Sequence, residues 1–423
     1  MRLLDSCSQT AVAAERYIEA HLFDHAGLMY SGIDAQTDTP FEKVFITPRK
    51  VPRRAAADPW AYWTYEDSMM SMGLYLDGLT LKYQVTGAAE CLSVAQRVWS
   101  SIRNVYACSQ VHGIGSFLRP YGGFEVMHRF LEPLGTDQAS PLFSGLYRYL
   151  PHASQAEAEA MRRVMRQTLE WYEQQGFEYF YYKSFIHPYT PGNPIADHAN
   201  SYYLPALAWA ARTFPEDARW PRCLGERLGY FTTGGYPLYA RGSHQPTFCW
   251  GSDFIILHEL LGPRFDEVFT PAILDDAYSA VNEVLDRYTE PGMVLRVCPE
   301  SAEPGFHPSV DPNFDPEQGM GFAYFSTRHH GRRRPRHEID FLLALASIGY
   351  RREEIAARAA GLLSLWHDVP DDFTAFLAED YELLPDTVHL YARSIGVNLV
   401  CWWRNYWLLR NIDVSVASCG TDH

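Results

Sequence analysis

Connections of two alternating lengths punctuate this chain, and they restrict its fold more than any other feature. Apolar residues recur at three-and-four spacing along Met69, Met72, Leu76, Leu79 and Tyr83, and again along Leu92, Ala95, Trp99 and Ile102. Met161 to Tyr172, Ile273 to Tyr288 and Ile355 to Trp366 repeat the pattern, which places one apolar stripe on each helix. Short turns at Thr86-Gly87, Pro151-His152, Phe214-Pro215, Gly262-Pro263 and Gly349-Tyr350 each join a strongly apolar helix to a more amphipathic one. That is the pattern of a helical hairpin. Long connections, 107–136, 175–196, 231–252, 290–337 and 367–387, separate one hairpin from the next.

Five hairpins leave one helix at each end of the chain, and pairing these two closes a ring of six. The expectation is a mainly α, single-domain (α/α)6 toroid over residues 1–423. Its inner helices fall near 62–84, 137–150, 197–213, 252–261, 337–348 and 388–410. Strand signals are confined to short pieces such as Met293–Cys298 and Phe322–Phe325. Long loops of this kind are usually functional, and here they all deliver the chain into the inner-helix N-termini. Those N-termini carry acids: Glu66-Asp67, Asp137, Asp197, Asp253, Glu338, Asp340 and Asp386. Helix capping and the helix dipole account for such acids without chemistry. A ring of carboxylates around a cavity mouth is also where acid–base catalysis is built.

Composition narrows the function. Lys+Arg 36 against Asp+Glu 51 gives a net charge of -15, so nucleic acid is not expected as a partner. The aromatic fraction of 14%, with 11 Trp and 27 Tyr, exceeds what a core needs and suits clefts that stack sugar rings. The eight cysteines contain no CxxC pair, which points to neither zinc nor disulfides. No apolar run is long enough to span a membrane, and acids interrupt the apolar start of the chain, so a cytoplasmic location is expected. His187, His198 and His329-His330 lack metal-site spacing, and no phosphate loop, dinucleotide fingerprint or nucleophile elbow occurs. No cofactor or metal is expected.

The loops supply candidate substrate contacts: Trp63, Arg119, Tyr121, His187, Tyr189, Asn193, Tyr202, Arg241, His244 and Trp250. A basic run, STRHHGRRRPRHEID, precedes the fifth inner helix. The stretch YEDSMMSMGLYLDGLTLKYQVTG and the pair SFLRPYGG and GTDQASPLFSGLYRYL resemble segments of the six-hairpin glycosidase superfamily. That superfamily includes unsaturated uronyl hydrolases and related polysaccharide lyases and sugar epimerases. The resemblance implies the toroid, a carbohydrate substrate, and an acid or base at the start of an inner helix. That role carries over to Asp137 and secondarily to Asp67. The arginine-glycine-asparagine-glycine-tryptophan segment of the hydrolases is missing.

Four functions remain open at this point. The first is a glycoside hydrolase acting on oligosaccharides, uronate-bearing ones included. In it Asp137 donates a proton, Asp197 or Asp67 activates water, and an arginine holds a sugar carboxylate. Glu66, Gln138 and Asp253 complete its set of substrate contacts. The second is a polysaccharide lyase with Tyr189, Tyr202 or His198 as base. The third is an epimerase using His187 and His198, and the fourth a toroid that binds sugar without turning it over.

Overall fold

The computed structural model describes residues 2–41, 64–129, 131–177, 180–181, 185–186, 196–233, 237–240, 245–246, 250–286, 295–296, 332–333, 335–374 and 393–419. In chain order the elements begin with α1 (Arg2–His21), β1 (Gly32–Asp34), α2 (Ser68–Thr86), α3 (Ala89–Val111), α4 (Thr136–Tyr149) and α5 (Gln155–Gln174). Next come β2 (Phe180–Tyr181), β3 (Phe185–Ile186), α6 (Ala196–Thr213), α7 (Arg219–Thr232), β4 (Tyr239–Ala240) and β5 (Gln245–Pro246). Then follow α8 (Gly251–Leu261), α9 (Pro263–Val268), α10 (Pro271–Leu285), β6 (Leu295–Arg296) and β7 (Arg332–Arg333). The chain ends with α11 (Arg336–Ser347), α12 (Arg352–Leu363), β8 (Ser394–Gly396) and α13 (Val397–Cys419).

Helices α2, α4, α6, α8, α11 and α13 pack each against the next, and α13 returns to α2. This closed circuit is the inner wall of an (α/α)6 toroid. Burial separates the two layers as the sequence pattern predicts. Every residue of α2 from Ser68 to Leu81 is buried, as is every residue of α11 from Glu338 to Ala346. On the outer helix α5 only the stripe Ala158, Met161, Val164, Met165, Thr168, Leu169 and Tyr172 is buried. The hairpin turns have local causes. Gly87 stops α2 in the left-handed conformation, with its N–H on the Tyr83 carbonyl. Ser154 and Glu157 form a reciprocal capping box that starts α5.

Four antiparallel two-stranded ribbons supplement the helices, and three of them lie within the long loops. The predicted strand near Met293–Cys298 is represented by β6, whereas Phe322–Phe325 lies outside the described residues. The fourth ribbon pairs β1 with β8, Gly32 opposite Gly396, and ties the segment after α1 to the start of α13. Gly396 has to be glycine there, because a Cβ would sit 2.1 Å from the Ser31 carbonyl oxygen. Helices α2 and α4 come equally close: a Cβ on Gly73 would lie 2.4 Å from the Pro141 oxygen, and one on Gly145 would lie 2.4 Å from the Gly73 oxygen.

Where six helices meet, the axis is polar. Asp77 on α2 accepts from Arg404 of α13 at 2.8 Å and from Ser252 of α8 at 2.5 Å, and pairs with Arg148 of α4 at 2.7 Å. Arg404 also reaches Asp340 of α11, whose other oxygen accepts the Gly251 N–H at 2.6 Å. Asp253 of α8 accepts from Ser140 and Ser144 of α4 and, at 2.9 Å, from Ser201 of α6. All six inner helices are thereby joined through hydrogen-bonded charge. Burial by itself pushes the Asp77 carboxyl up, but the Arg148 and Arg404 guanidiniums outweigh it and hold the carboxyl below its ordinary value. At Asp253 burial outweighs three serine hydroxyls and the carboxyl is pushed up to about 7.

Two consequences are measurable. Asp77→Ala takes from Arg148 its acid partner among the described residues and leaves Arg404 with Asp340 alone, and chemical denaturation should show a loss of about 3–5 kcal/mol, the usual cost of breaking a buried pair from one side. For Asp253, whose folded-state value is raised, the stability contribution is present below the unfolded value of about 4. It is lost as pH rises through about 7. Wild-type stability should decline across that window, and Asp253→Asn should flatten the decline.

Candidate active site

The inner helices run parallel, so their N-termini gather at one end, where the long loops arrive. Side chains from five of the six helix starts touch one another there. Gln138 on α4 donates through Nε2 to Asp67 Oδ1 at 2.6 Å and to the Glu66 main-chain oxygen at 2.8 Å. Trp250, just before α8, donates its indole N–H to the main-chain oxygen of Asp137 at 3.0 Å. The His337 ring of α11 meets the Trp250 ring edge-on at 5.2 Å, and the Arg336 guanidinium lies 5.2 Å from its centroid. Arg336 continues to Asn398 of α13 at 3.3 Å and to His337 Nε2 at 3.1 Å. At the sixth start, Asp197 and His198 lie in the first turn of α6, and their side chains fall outside the described residues.

Capping does not explain the acids of these helices. Among the described residues no side chain caps α2, α4, α8 or α11. Gly135 occupies the N-cap of α4 and leaves Asp137 at the second helical position. The Asp137 carboxylate is half-buried, and no hydrogen bond or ion pair engages it among the described residues. Asp67 is half-buried too. Burial pushes its carboxyl above the ordinary value and the Asp137 charge adds to the rise, while Arg119, the Gln138 hydrogen bond and Arg336 oppose it. Two carboxyls thus stand at adjacent helix starts, near enough for the charge of Asp137 to act on Asp67, and Asp67 is biased to keep its proton.

Several expected substrate contacts are buried and engaged within the protein. Arg119 is 1% exposed, and its Nη1 is 3.1 Å from Glu66 Oε1, so its charge braces the wall next to Asp67. Tyr121 and Gln138 are fully buried, and Trp250 shows only 1% of its surface. Asp253 is in the axial core with its three serines, because α4 and α6 place hydroxyls where the carboxylate emerges. Tyr202 packs in an aromatic cluster, 5.2 Å from Tyr172 and 6.1 Å from Phe143. Burial raises its phenol well above the ordinary value, the wrong direction for a base. Trp63, His187, Tyr189, Asn193, Arg241 and His244 lie outside the described residues, as does Asp386.

Sequence reasoning passed over Arg336, His337 and Asn398. The first two stand within the quoted basic run, and Pro335 at the N-cap of α11 was the signal that they open a helix. Asn398 carries no local signal. Among the described residues one group could approach a cation together: His367, Asp368 and Asp372. One Asp372 oxygen there already accepts the main-chain N–H groups of His367 and Asp368, each at 2.9 Å.

No protein-family model matches the chain, and no curated protein matches it. Solved structures do resemble it. A glycosidase superposes with a TM-score of 0.50 at 10% identity, over 97% of this chain and 98% of its own. A sugar epimerase from a ruminal bacterium gives a TM-score of 0.48 at 13% identity, over 98% of this chain and 100% of its own. An unsaturated glucuronyl hydrolase specific for heparin gives 0.46 at 11% identity, covering 98% of each chain. At these identities the likeness is one of fold alone, a closed (α/α)6 toroid.

Proposed function

We propose that this protein is a glycoside hydrolase that cleaves oligosaccharides by carboxylate acid–base catalysis. The observation that carries the reading is the Asp67–Asp137 pair, two half-buried carboxyls at neighbouring helix starts with one raised by burial and by the other's charge. Paired carboxyls whose environments differ divide acid and base duties. In this reading Asp67 keeps the proton and delivers it to the leaving oxygen, while the Asp137 carboxylate accepts a proton from the attacking water. Asp197 and His198, at the start of α6, remain candidates for the same mouth. Arg336 supports a uronate-bearing substrate: two of its nitrogens are engaged, and a guanidinium has five N–H donors, so among the described residues three are left for a sugar carboxylate. The lyase alternative draws no support from Tyr202, whose burial opposes ionisation.

The test is incubation with a panel of acidic and neutral oligosaccharides, followed by mass and near-ultraviolet absorbance. Hydrolysis adds one water per cleaved bond and creates no new absorbance. New absorbance would mean elimination, an isomer of unchanged mass would mean epimerisation, and saturable binding without product would leave only a binding protein. On a cleaved substrate, Asp67→Asn and Asp137→Asn should each lower kcat by roughly two to four orders of magnitude. Thermal melts should barely move, since neither carboxylate caps its helix.

The pH profile follows from the direction of the Asp67 shift. The protonated form is the active acid, so kcat/KM should fall as pH rises through the raised Asp67 value. That limb should sit above the usual aspartate range of about 4. A basic limb within the ordinary range would remove Asp67 as the proton donor.

A further inference from the structure

Gln138 is completely buried, and a single terminal atom of its carboxamide makes both of its contacts. One contact is a main-chain carbonyl, which can only accept a hydrogen bond. The shared atom must therefore be the amide nitrogen, because the flipped orientation would press two oxygens together. Both N–H bonds are then spent, one on the Glu66 carbonyl at 2.8 Å and the other on Asp67 Oδ1 at 2.6 Å. A proton on that Oδ1 would point at an N–H donor. It can be carried only by Oδ2.

We propose that Gln138 is a positioning residue, one that pins Asp67 through Oδ1 and confines the acid's proton to Oδ2. This rests on the acid–base role of Asp67 proposed above. Gln138 is fully buried, so it acts on substrate only through Asp67, and not as the direct sugar contact that the sequence suggested. Its position in α4, directly after Asp137, makes the arrangement rigid: the turn that presents one carboxylate also orients the other. The charged and titratable groups that face Asp67 are Asp137 from α4, Arg119 from the loop before it and Arg336 from α11, with His337 beside Arg336. Glu66, the chain neighbour of Asp67, is paired with Arg119. Of the groups acting on Asp67, only Gln138 bonds a named oxygen of the carboxyl among the described residues.

The variant Gln138→Met keeps the length of the side chain and removes both donors. The first measurement needs no substrate: carboxyl titration of protein carrying carbon-13 aspartate, with Asp67→Asn identifying the resonance. A bond to the ionised form is lost, so Asp67 should titrate at higher pH in Gln138→Met than in the wild type. The second measurement uses any oligosaccharide that the wild type cleaves. There kcat should fall about 10- to 100-fold with KM within about twofold, as for a misplaced catalytic group. The basic limb of the rate profile should move in the same direction as the titration. An unmoved Asp67 titration overturns the proposal whatever the activity, and so does a raised KM at constant kcat, which would make Gln138 a substrate contact. A shifted titration in a protein that cleaves no oligosaccharide supports the pinning and refutes the hydrolase reading instead. If Gln138→Met does not fold, Gln138→Asn serves with the same readouts, since its amide is one methylene too short to reach both oxygens.

Discussion

Six parallel helices can enclose an axis that carries charge only if each buried charge meets a partner, an opposite charge or a hydrogen-bond donor, and the rest of this structure depends on those pairings. Asp77, Asp340 and Asp253 are completely or almost completely removed from water, as is Arg404. Each would cost several kcal/mol if left alone there. Their mutual bonds need particular distances, so a one-turn slip of any inner helix would strand a charge. The glycines at 73 and 145 serve the same end, because only a bare backbone lets α2 and α4 come close enough for Asp77 to meet Arg148. The outer helices bury ordinary apolar stripes and add stability without dictating register.

The parallel arrangement also sets the electrostatics of the mouth. Aligned helix dipoles bring their positive ends together at one face, and this favours carboxylates there. Two groups stand out among the described acids at the helix starts. Asp253, Asp340 and Glu338 turn down into partners: serines, Arg404 with the Gly251 amide, and Tyr239. Asp67 and Asp137 remain at the rim, one held by a glutamine and the other unengaged among the described residues. The axial partners thus engage the first group and do not reach the second.

Much of the fold was legible in the chain itself. Three-and-four spacing within Met69–Tyr83 or Met161–Tyr172 is a property of a few turns of helix. The contrast between a two-residue turn at Thr86-Gly87 and a connection of some twenty-five residues before Thr136 is equally local. Together they dictate hairpins, their number and the face on which the loops gather, and Asp67 and Asp137 could be marked as helix-start acids. The supports were not legible. Nothing around Arg119 says that its charge is spent on Glu66, and Tyr202 reads the same whether it faces a cleft or a core.

The chain by itself determined the toroid and its polarity, with acids at the helix starts, because hydrophobic period and loop length act over short stretches. Which acids meet buried partners, and which stay at the rim, was decided only by tertiary structure. Ser140 meets Asp253 across 113 residues, and Arg404 meets Asp77 across 327. Burial and partner charge govern proton affinity, and both are set by residues that become neighbours only when the ring has closed.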